Sequence, residues 1–242
     1  MARIITVILC LLLTGCQRQE TQVSTSEDNF TYQEIEKYFK EFQTGDLINI
    51  ENSHYISNLA IPGRWKHTLI YLGTEAQVQK MISKESRYYQ KIMEMYLDKD
   101  EVVVLDANVG GVQLRYFKQM ANLKDESYLK SMVCYRFVKE KEFINQFIEN
   151  ALSYLHTPYD YEMDSTNDQK LYCSELVVWS LKKMNIEFSQ NTKLFQYTII
   201  SPTDLITDLK RQKMIKNILK RIYKYVILNR SEKSHRIFCV LF

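Results

Sequence analysis

The sequence predicts an α+β domain: a mostly antiparallel sheet of four to six strands with helices packed on it. Three observations lead there. Short apolar runs rich in β-formers recur at 47–50, 66–73, 101–107, 110–117 and 131–138. Amphipathic helical stretches lie before and after them. Apolar residues make up 45% of the chain, against only 6 Gly and 3 Pro, which is enough to build one core with few interruptions. No repeat and no internal linker divides the 242 residues.

The N-terminus reads as a targeting segment. Arg3 precedes an apolar run from Ile4 to Leu13, too short to span a bilayer as a helix. The run ends in LTGC (13–16), which resembles the bacterial lipoprotein box. The expected division is therefore a signal peptide at 1–15, a lipidated tether at 16–29, the folded domain at 30–230 and a tail at 231–242. Cys16 would carry the lipid, and several acyl chains on one residue anchor stably where one would not. Gln17, rather than the Asp that holds such proteins at the inner membrane, leans the expectation to the outer membrane.

Within the domain, Tyr32, Ile35, Tyr38, Phe39 and Phe42 have helical spacing, with Thr31 as cap. Gly45-Asp46 ends that stretch, and LINI (47–50) begins the strands. KHTLIYLG (66–73) is a strand closed by Gly73, and 75–97 reads as a charged, largely solvated helix. EVVVLDA (101–107) and GGVQLRYF (110–117) pair through an Asn-Val-Gly-Gly turn, and SMVCYRFV (131–138) is a further strand with Cys134 in the core. Residues 140–157 and 169–185 are amphipathic helices separated by a polar loop. Ser201 and Pro202 open another helix. In 210–230, Met214, Ile215, Ile218, Leu219, Ile222 and Val226 fall at helical spacing beneath a basic face. That favours a core-packed helix, with contact to anionic lipid as the sharper reading, although the alternation in RIYKYVIL also admits a final strand.

A net charge of +3 is too mild to point to nucleic acid. No CxxC occurs, and His54, His67, His156 and His235 have no zinc spacing, so neither a metal nor a cofactor is expected. With Cys10 in the signal and Cys16 lipidated, Cys134, Cys173 and Cys239 remain; an odd number leaves at least one free thiol in an exported protein.

Cys173 stands near the start of its helix, where backbone amides lower a thiol pKa and face a developing oxyanion. His67 opens a buried strand, and Asp106 ends the next strong one. Two adjacent strands and one packed helix can bring thiol, imidazole and carboxylate together. Composition and spacing alone leave the blander reading open: a packed cysteine, a solvated histidine and a turn aspartate.

The motifs TGDLI (44–48), KHTLIYLG (66–73), VVVLDANVGGV (102–112), YRF (135–137), TPYDYEM (157–163), YCSELVVWSL (172–181) and ISPTDLITD (200–208) occur in an order similar to that of the YiiX/YebB-like proteins. These are circularly permuted, NlpC-type members of the papain superfamily of cysteine hydrolases, in which the His strand precedes the Cys helix. The resemblance covers about 40–210 and implies a permuted papain-like fold. It implies Cys173 as nucleophile, His67 as general base and acid, and Asp106 as the orienting group, at a position where the family often has Glu. Tyr172 and Tyr159 are candidates for the cleft wall, with plain packing as the alternative, and Glu175 is expected to make a structural bond. The expected activity is that of a membrane-anchored thiol amidase or peptidase on cell-envelope peptide or peptidoglycan. Two alternatives stand beside it: a lipid-directed acyltransferase or esterase, and a non-catalytic lipoprotein binding module. The sequence carries no signal for oligomeric state.

Overall fold

A computed structural model describes residues 29–52, 61–98, 101–120, 129–163, 165–189, 191–194, 197–223, 225–226 and 237–238. The expected signal peptide, lipidated Cys16, nearly all of the tether, and Cys239 lie outside the described residues.

The chain enters through Thr31, whose hydroxyl accepts from the Glu34 amide while the Glu34 carboxylate takes the Thr31 N–H. This reciprocal cap starts the short helix α1 (Tyr32–Glu36), which gives way to a 3₁₀ turn at Phe39–Glu41. Strands β1 (Leu47–Asn52) and β2 (His67–Gly73) follow, then helices α2 (Glu75–Met81) and α3 (Tyr89–Met93). Next come β3 (Val103–Asn108), β4 (Gly111–Tyr116) and β5 (Leu129–Phe137). Helices α4 (Lys141–Leu152) and α5 (Cys173–Lys182) precede a small hairpin of β6 (Thr192–Leu194) and β7 (Tyr197–Ile199). Helix α6 (Pro202–Arg211) leads into β8 (Ile215–Tyr223), followed by the two-residue strands β9 (Tyr225–Val226) and β10 (Ile237–Phe238).

Six strands form one sheet in the order β4-β3-β2-β1-β5-β8. Every neighbouring pair is antiparallel, for instance Leu47 opposite Ile70 and Ile48 opposite Cys134. Both faces are buried. On one, Leu47, Ile70, Leu72, Val103, Leu105 and Val133 meet Phe147, Ile148 and Leu152 of α4, Leu176, Val177 and Leu181 of α5, and Leu205 and Leu209 of α6. On the other, Ile48, Ile50, Leu69, Tyr71, Val104 and Cys134 meet Phe30, Ile35, Phe39, Phe42 and Phe117. Phe39 packs edge-on against Phe117, and Phe42 edge-on against Tyr71.

One buried ion pair fixes the entry of β1. Asp46 takes two bonds from Arg136, at 2.8 and 2.7 Å, and one from the Gln43 amide. Cys134 lies wholly buried beside it, its thiol donating to Asp46 at 3.5 Å, and burial pushes that thiol far above its usual range. It is a core residue.

Two expectations are corrected. Residues 75–97 form two short helices rather than one, and Val78, Ile82 and Ile92 are buried in the core. Residues 215–223 are a strand, not a helix. The apolar positions fit both periods over that short span. The outer edge of β5 settles the matter: a helix there would leave its N–H and C=O groups unpaired, whereas β8 completes the ladder.

Candidate active site

The thiol is placed by the first turn of α5. Asn167 accepts from the Gln169 amide at 3.0 Å to close the preceding turn, and the Leu171 amide bonds to Pro158 O at 2.9 Å. Tyr172 is extended and acts as the cap, its N–H satisfied by the Glu175 carboxylate at 3.2 Å. This is the structural bond of Glu175. Cys173 is the first residue of the helix. The backbone of Ile200 clamps that turn from both directions: its N–H donates to the Tyr172 hydroxyl at 3.0 Å, and its carbonyl accepts from Ser174 at 2.7 Å. The amides of Cys173 and Ser174 belong to the first turn, whose N–H groups have no acceptor one turn back within the helix, so the start of α5 carries a local positive field.

The imidazole and the carboxylate come from adjacent strands. By the two-residue alternation, His67 shares the side of β2 with Leu69 and Tyr71, and Asp106 shares the side of β3 with Val104. The two side chains therefore emerge on one face and meet, with His67 Nε2 at 2.6 Å from Asp106 Oδ1. Since Nε2 is engaged by the carboxylate, Nδ1 is the nitrogen left to face Cys173, which lies close enough to act on the imidazole electrostatically. His67 opens β2 opposite Ile50, and 17% of its side chain is exposed.

Burial works against a charged imidazole here, but the charges and hydrogen bonds of Asp106 and Cys173 outweigh it, and the pKa of His67 is raised well above 6.5. Asp106 is fully buried, which alone would raise its pKa. The opposing charges of His67 and Arg115 win and hold the carboxyl below its usual 3.8.

Arg115 and Asn108 complete the carboxylate's shell and were not foreseen from sequence. Arg115 donates to Asp106 Oδ2 at 2.7 Å and Asn108 donates to the same oxygen at 2.9 Å. Asn108 is itself fixed by Gly110 N–H and Gln113 Nε2. A signal existed: a hairpin turning at Asn-Val-Gly-Gly places Asp106 opposite Gln113 and Val104 opposite Arg115, so Arg115 lies diagonally across from Asp106 on the same face.

The two tyrosines differ. Tyr172 is 2% exposed, with its hydroxyl taken by Ile200 and shared with Ser165 at 3.1 Å. It ties the preceding loop and the 197–201 segment to α5. Tyr159 is half-buried, packs edge-on against Tyr161 with ring centroids 5.0 Å apart, and lies within electrostatic reach of Cys173 and Asp106. Burial first, then the charges of Cys173 and Asp106, push its phenol well above its usual range.

A cysteine leading a packed helix, set against a histidine–carboxylate pair on adjacent antiparallel strands, defines the chain as a cysteine hydrolase of the papain superfamily in its permuted form. More narrowly, the chain belongs to the permuted papain-like amidase enzymes, YaeF/YiiX, C92 family, whose model matches residues 41–226. No curated protein matches it. Among solved structures it is similar to the crystal structure of metalloprotein yiiX from Escherichia coli O157:H7. The identity is 21%, the TM-score 0.43, and 71% of this chain and 82% of that one are covered.

Proposed function

We propose that the protein is a thiol amidase or peptidase of the cell envelope. In this reading it is held to the membrane through lipidated Cys16 and cleaves amide bonds of envelope peptides or peptidoglycan stems. The observation that carries the reading is the His67–Asp106 hydrogen bond at 2.6 Å, with Cys173 at the start of α5 close enough to act on the same imidazole.

The chemistry follows from that chain. In this reading His67 takes the proton of the Cys173 thiol as general base, which makes Cys173 the nucleophile. Its sulfur attacks the amide carbonyl carbon; the new C–S bond forms as the carbonyl π electrons move onto oxygen. The first-turn amides of α5 face that oxyanion. Collapse breaks the C–N bond, and His67 gives its proton to the departing amine. Water then attacks the thioester, His67 takes the water's proton, and breaking the C–S bond returns the thiolate. Asp106 keeps the ring oriented and its charge balanced throughout, and Arg115 with Asn108 keeps Asp106 ionised and fixed.

The test combines labelling with turnover. Cys173 should be alkylated by iodoacetamide at neutral pH faster than a free model thiol, and His67→Ala should abolish that advantage. Envelope peptides incubated with the wild-type chain should yield amide cleavage by mass spectrometry, reduced by at least ~10³-fold in Cys173→Ala. Release of fatty acid from phospholipid vesicles, with no peptide cleavage, would overturn the amidase reading in favour of a lipid-directed enzyme. Incorporation of a labelled fatty acid into the expressed chain, lost in Cys16→Ala, tests the anchor.

A further inference from the structure

An exposed aromatic ledge begins at Tyr159, which lies within electrostatic reach of Cys173 and Asp106, and the residues used for catalysis do not account for it. Tyr161 and Val109 are 69% and 71% exposed, an unfavourable placement for large apolar side chains with no partner to meet. They are nevertheless held together: the Tyr161 hydroxyl donates to Val109 O at 3.0 Å, and the Tyr161 ring packs against Tyr159. A ring fixed at both its tip and its edge loses little entropy on contacting a ligand.

Both ends of the ledge are tied to the catalytic groups. Val109 directly follows Asn108, which bonds to Asp106. Tyr159 directly follows Pro158, whose carbonyl accepts from Leu171, two residues before Cys173. The segment between is docked on the outer edge of β4, where Val112 N–H donates to Thr157 O at 2.9 Å and His156 N–H donates to Val112 O at 2.8 Å. The ledge is thus as firmly registered to the sheet as the triad is.

We propose that Tyr159, Tyr161 and Val109 form a subsite for one aromatic or branched apolar side chain of a peptide substrate, on the residue next to the scissile amide. The charge that bounds the strip selects this occupant. Glu162, the next residue, is 68% exposed and paired with Lys170, so the apolar surface ends in charge within one residue. A single side chain resting on the two rings and Val109 leaves that ion pair solvated, whereas a long fatty acyl chain extended past Tyr161 would have to desolvate it. The proposal rests on Cys173 being the nucleophile and names the substrate that this nucleophile meets.

The experiment compares two alkylating reagents on the full chain. Iodoacetamide and N-benzyl iodoacetamide form the same kind of S–CH2 bond and release the same iodide, so their rate ratio at Cys173, set against that of free cysteine, reports contact with the benzyl group. Divided by the same ratio for free cysteine, it should favour the benzyl reagent by about 10-fold. Tyr161→Ala and, independently, Val109→Ser should bring that ratio down to the free-cysteine value. Leu97→Ala should not change it: Leu97 is 84% exposed but follows Tyr96, whose hydroxyl binds Gly73 O at the opposite end of β2 from His67. A wild-type ratio equal to that of free cysteine, or one that survives both ledge variants, overturns the subsite. A slow absolute rate with iodoacetamide instead speaks against the nucleophile, so the two failures are distinguishable.

Discussion

His67 Nε2 and Asp106 Oδ1 lie 2.6 Å apart on neighbouring strands, and the far oxygen of that carboxylate is fixed by Arg115 and Asn108. Replacing Asp106 by Asn removes the charge and lets an amide N–H face the imidazole where an acceptor stood. The imidazolium loses its main support, and the ring loses the hydrogen bond that sets its orientation. For Asp106→Asn we expect kcat/KM for peptide cleavage to fall about 10²–10⁴-fold, with KM little changed. The pKa of His67, followed by NMR of its ring protons, should drop. An unshifted His67 titration would show that the carboxylate does not govern the ring.

The same pair sets the pH behaviour. His67 is raised above 6.5, so its stabilising contribution is complete below that value and is lost as pH rises through the folded-state pKa. Asp106 is lowered below 3.8, so its contribution is present above that value and is lost as pH falls through the folded-state pKa. Thermal stability should therefore decline on both sides of a plateau. The alkaline limb of kcat/KM should lie above pH 6.5, because loss of the imidazolium removes the proton needed by the departing amine. A pH–rate profile whose upper limb falls below 6.5 would contradict the structure.

Arg136 and Asp46 make a test of the frame that leaves the chemistry alone. Asp46 is nearly fully buried, and both of its oxygens are taken by Arg136. Arg136→Met strands a buried carboxylate and should cost about 3 kcal/mol in urea unfolding with an unchanged slope. Under conditions where the variant is folded, alkylation of Cys173 should match wild type.

Gly111 tests the docking of the segment that carries Tyr159. Its φ is +85°, and an added Cβ would sit 2.5 Å from the Thr157 carbonyl oxygen. Gly111→Ala therefore meets both left-handed backbone strain and a clash with main chain that cannot swing away. A loss of about 2 kcal/mol is expected. The contacts of 156–161 with β4 should loosen as well, visible as faster amide exchange at Val112 and His156.

The parts most legible in the sequence were those where a local device and a burial pattern agree. Ser201 and Pro202 announce α6, and both the hydroxyl cap and the N-terminal proline are present. His67–Gly73 and Val103–Asn108 read as strands because β-formers continue without a break. Residues 215–223 were misread because one set of apolar positions serves both a helix and a strand. The deciding fact, an open edge on β5, is a tertiary one. Within the candidate site, Cys173 and His67 were expected at element starts and stand first in α5 and β2, while Asp106, expected at the end of its strand, lies two residues before the end of β3. Arg115 was missed because it sits mid-strand, where only the hairpin register relates it to Asp106. Val109 and Tyr161 were missed because turn and loop residues carry no periodicity, and their pairing is a single hydrogen bond across 52 residues.

The order of the elements along the chain has a consequence for biosynthesis. The ribosome releases β2 and β3, with the imidazole and the carboxylate, before it has made residue 173. The helix carrying the thiol, the Ile200 backbone that clamps it, and the strand that closes the sheet all emerge later. A nascent or clipped chain ending upstream of Cys173 thus holds an acid–base pair with nothing to activate. The sulfur is the last of the three groups to appear, so a partly made chain lacks the proposed nucleophile until residue 173 has been built.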